Sequence, residues 1–349
     1  MVSGNFIIKD MIPNIRVHLI IEDIIIAASG YSIFISKDCG KTWIFKNSLP
    51  INFIRNVSSK VHVLSRLFRT GINQIYVISQ NKILISCDKA LYLSDLSFTW
   101  FEKVFLPSPF FQLLDRNICV TNDYTYYGEY FPNIQRRAVN IYRTKDGIDW
   151  EIVYSFPKKT IRHLHSLQYD QFSKKIWFAT GDLGTECSMG FFEDDFVETV
   201  VVGKADQKWR TLEFAFEPDN VYWGSEDPRG GNWLFSLDRN DESATPVFKP
   251  DCPVYNLKRI GQSYILITAN ERGECDGNAH VWWSEKLNSN QWVKLLSYQK
   301  DSLLTPFGFG RIFFGGFHKN MLFVSGSGLV DFDNKTALMQ FHENLEGFN

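Results

Sequence analysis

The segment Ser36-Lys-Asp38-Cys-Gly40-Lys-Thr42-Trp43 sets an aspartate, a glycine, a threonine and a tryptophan at fixed offsets behind an apolar strand. That set makes a self-contained turn. The Asp carboxylate accepts hydrogen bonds from backbone N–H groups, glycine supplies a positive φ, and the Trp ring packs beneath the hairpin. A shorter version follows at Thr144-Lys-Asp146-Gly147-Ile-Asp-Trp150. Looser echoes run from Ser94-Asp95 to Thr99-Trp100 and from Ser284-Glu285 to Trp292. Each joins a strand ending in Ser or Thr to one starting at Trp. The Trp positions fall near multiples of about 50 residues, the length of one four-stranded repeat in a radial β-architecture.

The composition agrees. Thirty Phe, 14 Tyr and 10 Trp, with many Ile and Val, favour strands, and 44% hydrophobic residues supply a sizeable core. The chain therefore reads as all-β, a single β-propeller domain over residues 1–349 with four short strands per blade. Blade one is expected from Asn14 to Phe45, blade two from Asn73 to Val104 and blade three from Phe110 to Phe156. Blade four is expected from Ile161 to Val202, blade five from Trp209 to Phe248 and blade six from Val254 to Tyr298. Three tail strands remain, Arg311–Phe317, Met321–Ser325 and Thr336–Phe341. An N-terminal strand, Asn5–Asp10, can join them, closing a seven-bladed ring and removing its exposed edges. Six blades is the alternative.

Charge and cysteine usage narrow the class. A formal net charge of −2 gives no global basic surplus for nucleic acid or an anionic membrane, although Arg136 and Arg137 form a local basic pair. Asp10, Pro13, Arg16, Glu22 and Asp23 interrupt the N-terminal apolar stretch, so neither a signal peptide nor a membrane span is expected. Six scattered Cys without a C-x-x-C pair read as reduced thiols, and the protein as cytoplasmic.

Strand alternation sorts the polar residues by face. The loop between a blade's second and third strands lies opposite the Asp-containing turn. In blades three to six that loop is long and polar, as functional loops on a rigid scaffold are. It carries Tyr126, Tyr127, Tyr130, Arg136 and Arg137 in blade three, and Asp182 and Glu186 in blade four. Blade five adds Glu226, Asp227 and Arg229, and blade six Glu271 and Arg272. Inner strands begin on the same face with Arg162-His163-Leu-His165 and Trp209-Arg210. Alternate strand residues share a side, so both histidines point one way.

The candidate catalytic residues are His163, His165, Asp182, Tyr222, Glu226 and Asp227. The histidines suit general-base or charge-neutralising work, and the carboxylates suit acid–base work on a glycosidic bond. Candidate substrate-binding residues are Arg136, Arg137, Arg210, Arg229, Glu271, Arg272 and Tyr127. The arginines suit bidentate capture of a carboxylate and the tyrosine suits stacking on a sugar. The plainer reading makes the same residues strand-end polar groups and local salt bridges. No cofactor and no metal site is expected, since H-x-H would need a third ligand such as Asp182 or Cys187.

The complete turn and its echoes resemble the Asp-box (BNR) repeats of sialidase-like propellers. The segments His163–Asp182 and Trp209–Asn232 are similar to bacterial Asp-box proteins grouped with glycosyl hydrolases by the repeat alone. Sialidases carry Arg-Ile-Pro near the N-terminus, where this chain has Ile15-Arg16-Val17, so the resemblance is not to a typical sialidase. A second resemblance, by architecture, is to propeller polysaccharide lyases, which implies His163 or His165, Tyr222 and Arg229 as counterparts of their His, Tyr and Arg. These resemblances imply a carbohydrate-active propeller, hydrolase or lyase, whose partner is an acidic oligo- or polysaccharide. The alternative is a non-catalytic glycan-binding, protein-binding or assembly propeller, as in photosystem assembly factors and sorting receptors. The sequence leaves the oligomeric state open.

Overall fold

The computed structural model describes residues 6–87, 90–104, 116–227, 229–241, 243–271, 275–303 and 308–341, apart from the His62 side chain. Strand β1 spans Phe6–Pro13. Blade one contains β2 (Arg16–Ile21), β3 (Ile24–Ser29), β4 (Ser32–Ser36) and β5 (Ile44–Ser48). Helices α1 (Phe53–Lys60) and α2 (His62–Phe68) follow. Blade two contains β6 (Ile72–Ser79), β7 (Lys82–Cys87), β8 (Ala90–Asp95) and β9 (Glu102–Val104). Blade three contains β10 (Ile118–Val120), β11 (Thr125–Gly128), β12 (Val139–Thr144) and β13 (Glu151–Phe156). Blade four contains β14 (His163–Asp170), β15 (Lys175–Gly181), β16 (Ser188–Glu193) and β17 (Glu198–Lys204). Blade five contains β18 (Thr211–Phe216), β19 (Asn220–Ser225), β20 (Leu234–Asp238) and β21 (Ala244–Phe248). Blade six contains β22 (Val254–Ile260), β23 (Ser263–Asn270), β24 (Asn278–Ser284) and β25 (Val293–Gln299). The tail supplies β26 (Gly310–His318), β27 (Met321–Ser327) and β28 (Lys335–Phe341).

These strands form a β-propeller of antiparallel blades among the described residues: five are separate four-stranded sheets, and the strands of the sixth and seventh join into one eight-stranded sheet where Ala269 and Asn270 of β23 pair with Arg311 and Gly310 of β26. The seventh combines β26, β27 and β28 with β1, in register from Phe6↔Phe341 to Pro13↔Lys335, as the N-terminal strand was expected to do. The expected start of blade three at Phe110 lies outside the described residues. The helical pair between blades one and two was not foreseen.

By its contacts the chain divides into two compact units, residues 1–72 with 258–349, and residues 73–257. In the first, Ile265, Ile267, Val281, Ile312, Leu322 and Val324 build one core, and Val17, Ile25, Phe323 and Leu338 a second. In the second, Val139, Ile141, Leu164, Leu167 and Phe178 pack together, and Trp177, Phe214, Trp223 and Phe235 form another cluster. Strand β23 is buried throughout because both its faces are covered, whereas outer strand β13 is largely exposed.

The Ser36–Trp43 turn is built as its residue types require. Asp38 accepts from the Thr42 backbone N–H (2.9 Å), the Thr42 hydroxyl (2.7 Å) and the Ser36 hydroxyl (2.8 Å). These bonds, the Thr42 N–H first, hold its carboxyl down at about 2. Gly40 has φ +86°, and a Cβ there would come within 2.9 Å of Leu338. The Asp146 turn repeats the scheme with Thr144 and the Ile148 and Asp149 N–H groups.

One expectation about cysteine is corrected. Cys252, ahead of β22, and Cys275, ahead of β24, are disulfide-bonded, while Cys39, Cys87, Cys119 and Cys187 are free. Spacing along a chain does not reveal which thiols the fold brings within bonding reach.

Candidate functional site

The site lies within the 73–257 unit, where β14 starts and β15 ends. A β-bulge interrupts β14, since Leu164 pairs with Thr180 and Ser166 with Ala179, leaving His165 as the extra residue. The bulge lets Leu164 and Leu167, three apart, enter the same core. It leaves His163 and His165 side by side, rings stacked at 5.0 Å and Nε2 atoms 3.1 Å apart. Asp182, just past β15, brings Oδ1 to 3.1 Å from His165 Nε2 and 3.5 Å from His163 Nε2. Gly181 makes the room: a Cβ there would sit 3.0 Å from His165 Cε1 and 3.2 Å from Arg210 Cγ.

A second ring of groups orients the first. The Phe131 carbonyl lies 3.1 Å from His163 Nδ1; a carbonyl only accepts, so Nδ1 carries the proton and Nε2 directs its lone pair inward. His165 Nδ1 lies 3.2 Å from Glu226 Oε2, an ion-pair contact. Arg210 grips Glu226 with two N–H groups at 3.1 and 3.2 Å and reaches the Asp182 carbonyl at 3.3 Å. Gln207 donates to that same carbonyl at 2.9 Å. The Tyr130 ring lies tilted over His163, 4.0 Å between ring centroids. Arg162 donates to Asp182 Oδ2 at 2.6 Å. Its side chain is 34% exposed against 2% for His165, so Arg162 is the solvent-facing member of the set and His165 the buried one.

Electrostatics follow from this packing. Burial, the strongest influence, lowers the His163 pKa below that of a free imidazole. Burial also acts to lower His165, but the Asp182 and Glu226 carboxylates outweigh it and the net shift is upward. Burial would raise Asp182, yet hydrogen bonds from His163 and His165, in the forms of those rings that carry an Nε2 proton, hold it well below the usual carboxylate range. Glu226 is likewise held low against its burial, chiefly by Arg210.

His163 Nε2, His165 Nε2 and Asp182 Oδ1 form a triangle with sides of 3.1, 3.1 and 3.5 Å. Its centre lies about 1.9 Å from each corner, so an ion at the roughly 2.0–2.2 Å usual for imidazole and carboxylate ligands would sit within about 1 Å of their plane. Two facing ring nitrogens at such a distance are held either by a shared proton or by a cation. The Phe131 carbonyl and Glu226 carboxylate stand where the outer partners of metal-binding histidines stand. These three residues, with no metal site expected from sequence, are thus a set able to hold a divalent cation. Cys187 does not take part. It is buried, donates to the Leu183 carbonyl, and burial pushes its thiol up to about 12.

The other candidates separate. Asp227 lies in the loop between β19 and β20, tied to Arg229 at 3.1 Å, and Arg229 is largely exposed. Arg136 pairs with Glu186 at 2.6 Å, and Arg137 is exposed beside Gln135. Tyr127 is fully buried, stacked on Tyr142 in the core of blade three, so it presents no surface to a sugar. Tyr222 is buried within β19, four residues before Glu226, or roughly 13 Å along the strand. Glu271 follows β23 in the other unit, half-buried, and Arg272 lies outside the described residues. The candidate catalytic and binding residues left out Arg162, Tyr130, Gln207 and Gly181, although Tyr130 was legible as an aromatic of the polar loop of blade three and Arg162 as the immediate neighbour of His163.

No protein-family model and no curated protein sequence matches the chain. Solved structures do resemble it. An oligogalacturonate lyase in complex with manganese aligns with a TM-score of 0.60 at 8% identity, over 91% of this chain and 85% of that one. The CNH domain of AfRom2 aligns with a TM-score of 0.57 at 9% identity, over 100% and 99%. The extracellular domain of a one-component system from B. thetaiotaomicron aligns with a TM-score of 0.59 at 11% identity, over 98% of this chain but 40% of its own length. At these identities the likeness is one of fold, and these neighbours are propeller-like proteins.

Proposed function

We propose that the His163–His165–Asp182 site binds a divalent cation and acts on an acidic, uronate-containing sugar by elimination rather than hydrolysis. The observation that carries this reading is the convergence of three ligand atoms beside Arg162 and Arg210. A glycoside hydrolase needs one carboxyl with a raised pKa as its general acid. Asp182 and Glu226 are both held low, and Glu226 is locked in a buried pair with Arg210. An elimination makes a different demand. The substrate carboxylate must be neutralised so that a base can take the proton beside it; the carbon–carbon double bond then forms as the glycosidic carbon–oxygen bond breaks, and the leaving sugar oxygen takes up a proton. A cation held by the three residues supplies positive charge for that purpose. Arg162, the more exposed of the two arginines, offers N–H groups to the same carboxylate, and Tyr130 offers a ring edge beside it. The manganese-bound lyase of the same fold supports this choice of chemistry.

The test is turnover of oligogalacturonate and other uronate oligomers by the whole protein, with manganese(II) or with a chelator. Unsaturated product, seen by ultraviolet absorbance, is expected only with the cation. His165→Ala, folded by circular dichroism, should lose it by about a hundredfold. New reducing ends without unsaturation would replace elimination by hydrolysis. Binding without any product across the panel would favour a binding module.

A further inference from the structure

The helical pair between blades one and two is built inside out. A helix packed on a globular body turns its apolar side inward. In α1 and α2 the buried side chains are polar, Ser58 and Arg66, and Arg66 is ion-paired with Asp301 and Asp333. Ser59 sits against the tight turn at Gly30, where a Cβ would approach its hydroxyl to 2.6 Å. The side chains left outside are apolar: Phe53, Ile54, Val57, Leu64, Leu67 and Phe68 are all exposed. Asn52 caps α1 by accepting from the Arg55 N–H at 2.9 Å, which fixes the helix start just where Phe53 and Ile54 project, 81% and 80% exposed.

Charge is as one-sided as polarity. From Cys39 to Cys87 the sequence has seven Lys and Arg and no Asp or Glu, although the whole chain has a net charge of −2. Arg55, Lys60 and Arg69 are exposed on or beside the two helices. Short helices with an outward apolar face flanked by basic residues match the bilayer interface, where the apolar side chains enter the acyl boundary and the cations meet anionic headgroups. At eight and seven residues, about 12 and 10 Å, neither helix could cross a bilayer.

We propose that α1 and α2 form a docking element for an anionic lipid surface, with Phe53 and Ile54 as its inserting tip and Arg55, Lys60 and Arg69 as its headgroup contacts. The experiment is co-sedimentation of the full chain with vesicles of phosphatidylcholine alone and of phosphatidylcholine mixed with phosphatidylserine. Binding is expected to the mixed vesicles, weakening as salt rises. Phe53→Glu with Ile54→Glu should reduce it at least about tenfold, at an unchanged thermal midpoint because neither side chain is packed. Lys60→Glu with Arg69→Glu should remove the preference for phosphatidylserine. No binding to either vesicle, or binding indifferent to these substitutions, overturns the proposal. So does a dimer seen by light scattering and abolished by Phe53→Glu with Ile54→Glu, which would make a second copy of the chain the occupant.

Discussion

At Glu226 the chain buries a full negative charge, and Arg210 and His165 are the groups that compensate it. Breaking a buried pair from one side leaves an uncompensated charge, which costs about 3–5 kcal/mol, whereas replacing both partners by apolar groups can be nearly neutral. Arg210→Met is therefore expected to lower the urea midpoint strongly, and adding Glu226→Leu to restore much of the loss. A double-mutant cycle measures the coupling. The same residues show what could be read from the chain. The H-x-H spacing and the acids placed just after strands were visible because they follow from strand geometry. Tyr127 and Tyr222 were not separable from surface-lining aromatics. Both sit in strands, and whether a strand aromatic lines an opening or fills the space between sheets is decided by neighbours distant in sequence.

The turn elements and the helical pair lie at opposite ends of this legibility. The Asp38 and Asp146 turns are closed by groups within a few residues, so the local sequence specifies them. Helices α1 and α2 follow no core-facing pattern, because their apolar residues face outward. Their only trace was a wider gap between Trp43 and Trp100 than between Trp100 and Trp150. What seats α2 is tertiary, the Arg66 pair with Asp301 and Asp333. Burial would raise the Asp301 pKa, but Arg66 and Lys300 bring it below its ordinary 3.8. The sign follows: stability from this pair is complete above the unfolded value and is lost as pH falls through the lower folded one. Amide hydrogen exchange across residues 62–68 should accelerate as pH is lowered through and below 3.8, after correction for the intrinsic rate. Asp301→Asn should show the faster exchange already at neutral pH and little further change in acid.

For the molecule as a whole, the arithmetic of strands favoured a closed seven-bladed ring, with six blades as the alternative. Six complete sets of four and a tail of three left one place for an N-terminal strand, and β1 fills it. Without β1, strand β28 would expose its backbone N–H and C=O groups along an open edge, a template for pairing with other chains. Ile12, packed beside Val17 and Phe323, would also lose its place. Deleting residues 1–13 is thus expected to lower the thermal midpoint and to produce concentration-dependent aggregation, followed by light scattering. A synthetic peptide of residues 6–13 should suppress that aggregation by adding back the missing strand, since main-chain pairing supplies most of the recognition. A truncated chain that stays monomeric at the original midpoint would show that the seventh blade needs only its three tail strands.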